Sequence, residues 1–327
     1  MYSYPWPLKG ICLGAPQSGD IDLFERFVNE RLQKDGINTL VLLTRYRYAF
    51  DSHPECRADN PLSYEDARRI KKICSDAGIE LIPKMNLMGH QSGKSRESMD
   101  GLLRGHPEFD ETPDLDAVEY CRSLCPSNGE CLNIVCNLMD EMCDAFGAST
   151  MHIGCDEVFE IGKCPLCRKK SNAELFAGWI KSLYEHLAER GIKTMMWGDR
   201  LLSGDETGYG RWEASGNGTD PAIDMLPKDI IICDWHYEMM EKYPSVDVFA
   251  DHGYEIIICP WRYRKNAHAF ADYAVSRDRG HIKGLMITTW CDPKKVMLEL
   301  LGTPVKDEGG WNAHELVADN YRSFFVE

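Results

Sequence analysis

The chain has 327 residues, 43% apolar and 27% charged, and a net charge of −15, so it is long enough to bury one large core. That acidic balance argues against a phosphate backbone as partner, and no uninterrupted apolar window of about 18 residues is available to cross a membrane. The first ten residues lack the basic-then-apolar pattern of a secretory signal, so the chain reads as cytoplasmic, and its fourteen cysteines read as buried thiols rather than disulfides.

Strands are predicted, in chain order, over 10–13, 39–43, 80–85, 150–154, 194–197, 230–233, 255–259 and 284–289. Most are continuous apolar runs, as buried parallel strands require. Cys12, Cys233 and Cys259 sit inside such runs as small hydrophobes. One phrase recurs between the runs: an amphipathic helix, a glycine, then a strand. It appears at Gly36, Gly78, Gly191 and Gly253, each glycine placed to take the left-handed cap of the helix before it. The helix predicted over 174–190 carries one apolar stripe (Leu175, Phe176, Trp179, Ile180, Leu183, Tyr184, Leu187) behind a Ser171/Glu174 capping box. Ser63 with Asp66 is a weaker box before the next-best stripe.

Eight strands separated by helices predict an α/β fold, a single (β/α)8 TIM barrel spanning 1–327. The competing open doubly wound sheet lacks its Gly-rich phosphate loop after the first strand. Two polar stretches break the rhythm, 89–129 and 204–227. Both follow strands, which puts them on the catalytic face as walls of a pocket.

Functional residues of a barrel lie at the C-terminal ends of its strands. Here strand four runs into Asp156-Glu157 and strand five into Trp197-Gly198-Asp199-Arg200. Strand six runs into Trp235-His236-Tyr237, strand seven into Trp261-Arg262-Tyr263, and strand eight into Trp290-Cys291-Asp292. Tryptophan at four consecutive strand ends is what the apolar C–H faces of a sugar ring stack against. Asp156 and Glu157, taken alone, also fit a solvated turn. Beside those tryptophans they fit glycoside cleavage, which needs a proton donor and a group that stabilises positive charge; two close carboxylates push each other's protonation apart.

Residues 152–157, His-Ile-Gly-Cys-Asp-Glu, resemble the His-x-Gly-Gly-Asp-Glu motif of glycoside hydrolase family 20, the β-N-acetylhexosaminidases. Pro83 and Gly89-His90 resemble part of that family's Pro-Glu-Phe-Asp-x-Pro-Gly-His segment, and the resemblance covers roughly residues 10 to 295. It implies exo-acting release of terminal N-acetylhexosamine by a substrate-assisted retaining mechanism, with an N-acetylhexosamine glycan as partner and no cofactor or metal in catalysis. Asp156 would orient the 2-acetamido group and Glu157 would protonate the leaving oxygen. Tyr237 or Tyr263 would hold the acetamido oxygen, Asp292 would bind sugar hydroxyls, and His90 would support the acids. Trp197, Trp235 and Trp290 fall where the family places pocket tryptophans, with Trp261 beside them.

The chain departs from the pattern at several points. Cys155 replaces a glycine, Asn86 an aspartate, and Arg262 a tyrosine, while Lys9-Gly10 brings no sugar-gripping arginine. The small α+β domain that often precedes the family's barrel is not expected within these 327 residues. Arg45, Tyr46, Arg47 and Tyr48 are expected either to supply the missing hydroxyl contacts or to form a solvated loop. Cys164-Pro165-Leu166-Cys167 is half a zinc site, with Cys121, Cys125 and Cys131 as sources of further ligands; the other reading is thiols that pack the strand-four loop. Two other functions compete: a sugar-binding barrel without catalysis, and a zinc-dependent barrel hydrolase, for which only His152 and His236 stand near strand ends.

Overall fold

A computed structural model describes residues 3–306, 310 and 313–326. Leu8–Gly14 (β1), Thr39–Leu43 (β2), Glu80–Lys84 (β3), Thr150–His152 (β4), Lys193–Trp197 (β5), Ile231–Asp234 (β6), Glu255–Ile258 (β7) and Ile282–Thr288 (β8) close into a barrel in sequence order. Each strand lies within two residues of its predicted bounds. The register is parallel, with Gly10 opposite Thr39 and Leu8 opposite Gly284.

The helices are Ile21–Phe27 (α1), Tyr64–Asp76 (α2), Gly101–Gly105 (α3), Gly129–Phe146 (α4), Asn172–Glu189 (α5), Gly204–Thr207 (α6), Ser245–Asp251 (α7), Arg264–Arg277 (α8), Pro293–Leu300 (α9) and His314–Phe325 (α10). Both predicted capping boxes form, Ser63 with Asp66 on α2 and Ser171 with Glu174 on α5. All four predicted cap glycines have positive φ. On α5 the stripe is buried except for Tyr184, whose hydroxyl reaches Asp229. Each of its large apolar side chains contributes about 1.5–3 kcal/mol of burial. One connection departs from the alternation: between β5 and β6 the described residues form only short turns, Asp199–Leu201, α6 and Asp220–Asp224. Residues 204–227 are rich in Gly and Asp and carry no apolar stripe that a helix could bury.

The contacts group the chain into two compact units. One contains the described residues up to Thr44, then Leu62–Pro83 and those from Cys233 onward; the other contains Arg45–Pro61 and Lys84–Ile232. In the second unit the long connection 89–129 is a packed structure with Leu102, Leu103, Phe109 and Leu124 in its interior. Its organiser is Arg122, fully buried, which pairs with Asp110 and donates to the carbonyls of Leu115 (2.8 Å) and Asp116 (2.9 Å). Tyr46 and Tyr48, 5% and 4% exposed, belong to the same interior. They are neither a solvated loop nor sugar contacts, because their rings pack on Gly101 and on Phe50 and Phe146.

Candidate active site

The end of β4 is shaped by backbone that only a special sequence tolerates. Gly154 turns left-handed (φ 73°), its N–H donates to His152 Nδ1 at 3.0 Å, and a Cβ there would stand 2.5 Å from Asn86 Oδ1. Cys155 (φ 66°), Glu157 (φ 48°) and His90 (φ 56°) are also left-handed without being glycine. Each such residue costs about 1–3 kcal/mol, and strain of this kind collects at functional sites. Gly89 is equally constrained, since a Cβ would lie 2.7 Å from the Asp156 carbonyl.

This backbone brings three predicted side chains together. His90 Nε2 lies 3.0 Å from Glu157 Oε2, and His90 Nδ1 faces Asp156 Oδ1 at 3.7 Å. Asp156 Oδ1 is buried and accepts no hydrogen bond. The Glu157 N–H donates to Asp199 Oδ2 at 2.9 Å, and the same oxygen accepts from Arg200 Nε at 2.7 Å. Burial, with a smaller push from Asp156, raises the Asp199 carboxyl to about 6 against the pull of Arg200. Burial alone would hold His90 below the ordinary 6.5; the Asp156 charge and the Glu157 hydrogen bond outweigh it, and the net shift is upward.

A histidine whose pKa rises on folding lends stability that is complete below pH 6.5 and is lost as the pH climbs through the raised value. The melting temperature should therefore decline across that window, and the decline should flatten in His90→Gln. An equally steep decline in the variant, followed by calorimetry, would mean that the charge is not held at His90.

Both long loops contribute to the surroundings of the acids. From 89–129 comes Tyr120, its ring edge-on to His90 at 5.5 Å; burial first, then the neighbouring Glu157 charge, raises its pKa. From 204–227 come Arg211 and Trp212. Tyr120, Phe159 and Trp212 form an edge-to-face cluster with centroids 4.9–5.8 Å apart, and Arg211 lies over Phe159 and Trp212. Trp212 remains 43% exposed. Arg200 holds this loop in place by donating to the carbonyls of Arg211, Trp212 and Ala214. None of these loop residues stands out in the sequence, beyond Trp212 as a lone tryptophan in a polar stretch.

Trp197, also in this unit, is 1% exposed, with its ring 4.5 Å from His152 and Lys84 above it. It offers no open face for a sugar in this conformation. In the other unit, Tyr237 is surrounded by tryptophans: Trp235 at 4.9 Å, Trp261 at 5.3 Å, and the Trp290 indole N–H donating to its hydroxyl at 2.7 Å. Burial holds the Tyr237 phenol well above its ordinary pKa, so it stays protonated. Tyr263 is 43% exposed beside Arg262. Asp292 is exposed and caps α9, accepting from the N–H groups of Lys294 and Lys295. Arg45 donates to the His90 carbonyl at 2.8 Å. His152 is fully buried under Trp197, and His236 lies between Ser245 and Asp234. Neither joins a group of potential metal ligands among the described residues.

The family model for the glycosyl hydrolase family 20 catalytic domain matches residues 36–291. The chain belongs to glycosyl hydrolase family 20. It is 25% identical over 150 residues to a β-hexosaminidase of Akkermansia muciniphila, covering 41% of this chain and 28% of that protein. It is 24% identical over 176 residues to hexosaminidase D of Bos taurus, covering 51% and 48%. The fold superposes on a chitobiase of Flavobacterium johnsoniae with a TM-score of 0.65 at 19% identity, over 98% of this chain and 51% of that one. The chain thus spans under half the length of those two curated relatives.

Membership sharpens two departures. Asn86 accepts from the buried Lys84 ammonium at 2.6 Å, so lysine and asparagine here stand together where the family segment has glutamate and aspartate. Cys155 occupies the family's second glycine and keeps that glycine's left-handed backbone. Alanine ordinarily stabilises relative to glycine, but at positive φ the order reverses. Cys155→Gly should therefore be more stable than Cys155→Ala by about 1 kcal/mol in denaturant unfolding. The usual order would show that the turn relaxes without strain.

Proposed function

We propose that this chain removes terminal N-acetylhexosamine from glycans by substrate-assisted, retaining hydrolysis. The observation that carries the reading is the pairing of two neighbouring acids by one histidine, with Asp156 Oδ1 buried and lacking a hydrogen bond. Ligand oxygens of Asp156 and Glu157 lie within 4.8 Å of each other on a single strand end. That spacing is also compatible with the roughly 5–5.5 Å pair of an ordinary retaining glycosidase, so the choice rests on the family motif, in which the acid matching Asp156 serves the 2-acetamido group and not the anomeric carbon. The acetamido oxygen supplies the missing nucleophile, and it gains from being tethered to the reacting ring.

In this reading Asp156 accepts the acetamido N–H and stabilises the oxazolinium-like cation, while Glu157 gives its proton to the leaving oxygen and then takes one from water. His90 holds both carboxylates in register. Of the two candidate tyrosines, Tyr237 is oriented by the Trp290 N–H, whereas Tyr263 is 43% exposed. The Tyr120–Phe159–Trp212 cluster would receive the aglycone.

The test is hydrolysis of aryl N-acetyl-β-glucosaminide and N-acetyl-β-galactosaminide, with product anomers followed by NMR. Release of the β-anomer supports the proposal. Binding of either sugar without turnover would sink it and favour a carbohydrate-binding barrel.

A further inference from the structure

We propose that Cys125, Cys164, Cys167 and Glu111 form a structural zinc site that ties the 89–129 loop to the segment following β4. All four residues are at most 4% exposed, and their ligand atoms lie within 4.8 Å of one another. Cys125 Sγ stands 3.3 Å from Cys164 Sγ and 3.6 Å from Cys167 Sγ. Bonds of about 2.3 Å from sulfur to a tetrahedral zinc place two sulfurs about 3.8 Å apart, close to these separations and far from the roughly 2.0 Å of a disulfide.

The second observation concerns the carboxylate. Glu111 Oε1 accepts from the N–H groups of Lys163 and Cys164 at 2.9 and 3.4 Å, but Oε2 is buried with no hydrogen-bond partner. Leaving such an oxygen bare inside a protein is costly. Lys163, whose backbone N–H meets Oε1, does not relieve it, because its ammonium turns to Glu160. Three thiols are weak donors and poor partners for a carboxylate. A dication bound to three thiolates and this oxygen satisfies all four groups at once. The soft sulfur set and four-fold closure suit zinc held for structure, with no open position for substrate.

The backbone is prepared for the same end. Cys167 N–H and Arg168 N–H both donate to the Cys164 carbonyl at 3.1 Å, which closes the Cys-x-x-Cys turn. Of the three further cysteines eligible on sequence grounds, only Cys125 joins the group, and Glu111 completes it. The two segments so tied carry Tyr120 on one side and Asp156–Glu157 on the other. The metal would therefore hold the wall that faces the acids, a consequence that rests on the proposed function, whereas the site itself does not.

The experiment measures metal in the full chain, purified under reductant without chelator, by inductively coupled plasma mass spectrometry. About one zinc per chain is expected. Cys164→Ser, Cys167→Ser and Glu111→Gln should each lose most of it, while Cys136→Ser, half-buried on α4 and outside the group, should keep it. Cobalt(II) uptake with thiolate-to-metal charge-transfer bands, present in the parent and absent in Cys167→Ser, is a readout independent of activity. Three results would overturn the proposal: no zinc in the parent even after titration with zinc under reductant, undiminished zinc in the ligand variants, or a Cys125–Cys164 disulfide in peptide maps.

Discussion

Glu157→Gln should lower kcat/KM by about 10²- to 10⁴-fold on N-acetylhexosaminides with poor alkyl leaving groups, the range general acid catalysis supplies. Aryl substrates whose phenolate leaves unaided should lose far less, because proton donation matters only where the departing oxygen is basic. The substitution is nearly isosteric. The Glu157 backbone N–H remains anchored on Asp199, and the glutamine can still reach His90, so the fold should survive. KM should change little, since the carboxyl acts in the transition state and not in ground-state binding. A loss of equal size on alkyl and aryl substrates, measured over a series of leaving-group pKa values, would remove Glu157 from the role of proton donor.

What was legible in the sequence was local. Continuous apolar runs, capping boxes and cap glycines each depend on neighbouring residues, and strand and helix positions followed from them. The acid pair was legible because its motif is contiguous, and His90 because the Gly89-His90 pair resembles the end of the family's strand-three segment. What stayed dark depends on distant partners. Tyr120 reaches Glu157 because a buried arginine, Arg122, folds 89–129 onto itself. Trp212 is positioned through Arg200, which binds three carbonyls of 204–227. An arginine in a polar stretch reads as a solvated charge until its carbonyl partners are known. Glu111 was invisible for the same reason, lying 53 residues from Cys164, whose N–H it accepts. Burial is hidden after strand two as well: Tyr46 and Tyr48 look polar next to Arg45 and Arg47, yet both are core. The strained positions show the reverse relation. Of the five non-glycine residues at positive φ among those described, Cys155, Glu157 and His90 lie at or beside the acid pair, while Arg45 and Asn60 do not belong to it.

Asp156→Asn should reduce kcat by roughly 10²- to 10³-fold, the scale on which removal of one preorganised electrostatic partner acts. The ground-state acetamide is neutral, and its N–H can still donate to the asparagine oxygen, so KM should move by much less. The charge becomes important when the acetamido oxygen closes on the anomeric carbon and the ring nitrogen turns cationic. Asp156 Oδ1 suits that task because it is buried, where a charge acts through a low effective dielectric. The same logic fixes the dependence on substrate. Replacing acetyl by mono-, di- and trifluoroacetyl withdraws electron density from the attacking oxygen, and the rate should fall steeply at each step. In Asp156→Asn the dependence should persist, because the nucleophile is still the substrate's own oxygen, while the whole series shifts downward. A plain β-glucoside has no such oxygen and should be inert to both proteins. Efficient cleavage of that glucoside, or a sugar ester trapped on either acid and found by mass spectrometry, would overturn the substrate-assisted mechanism and make one of the carboxylates the nucleophile.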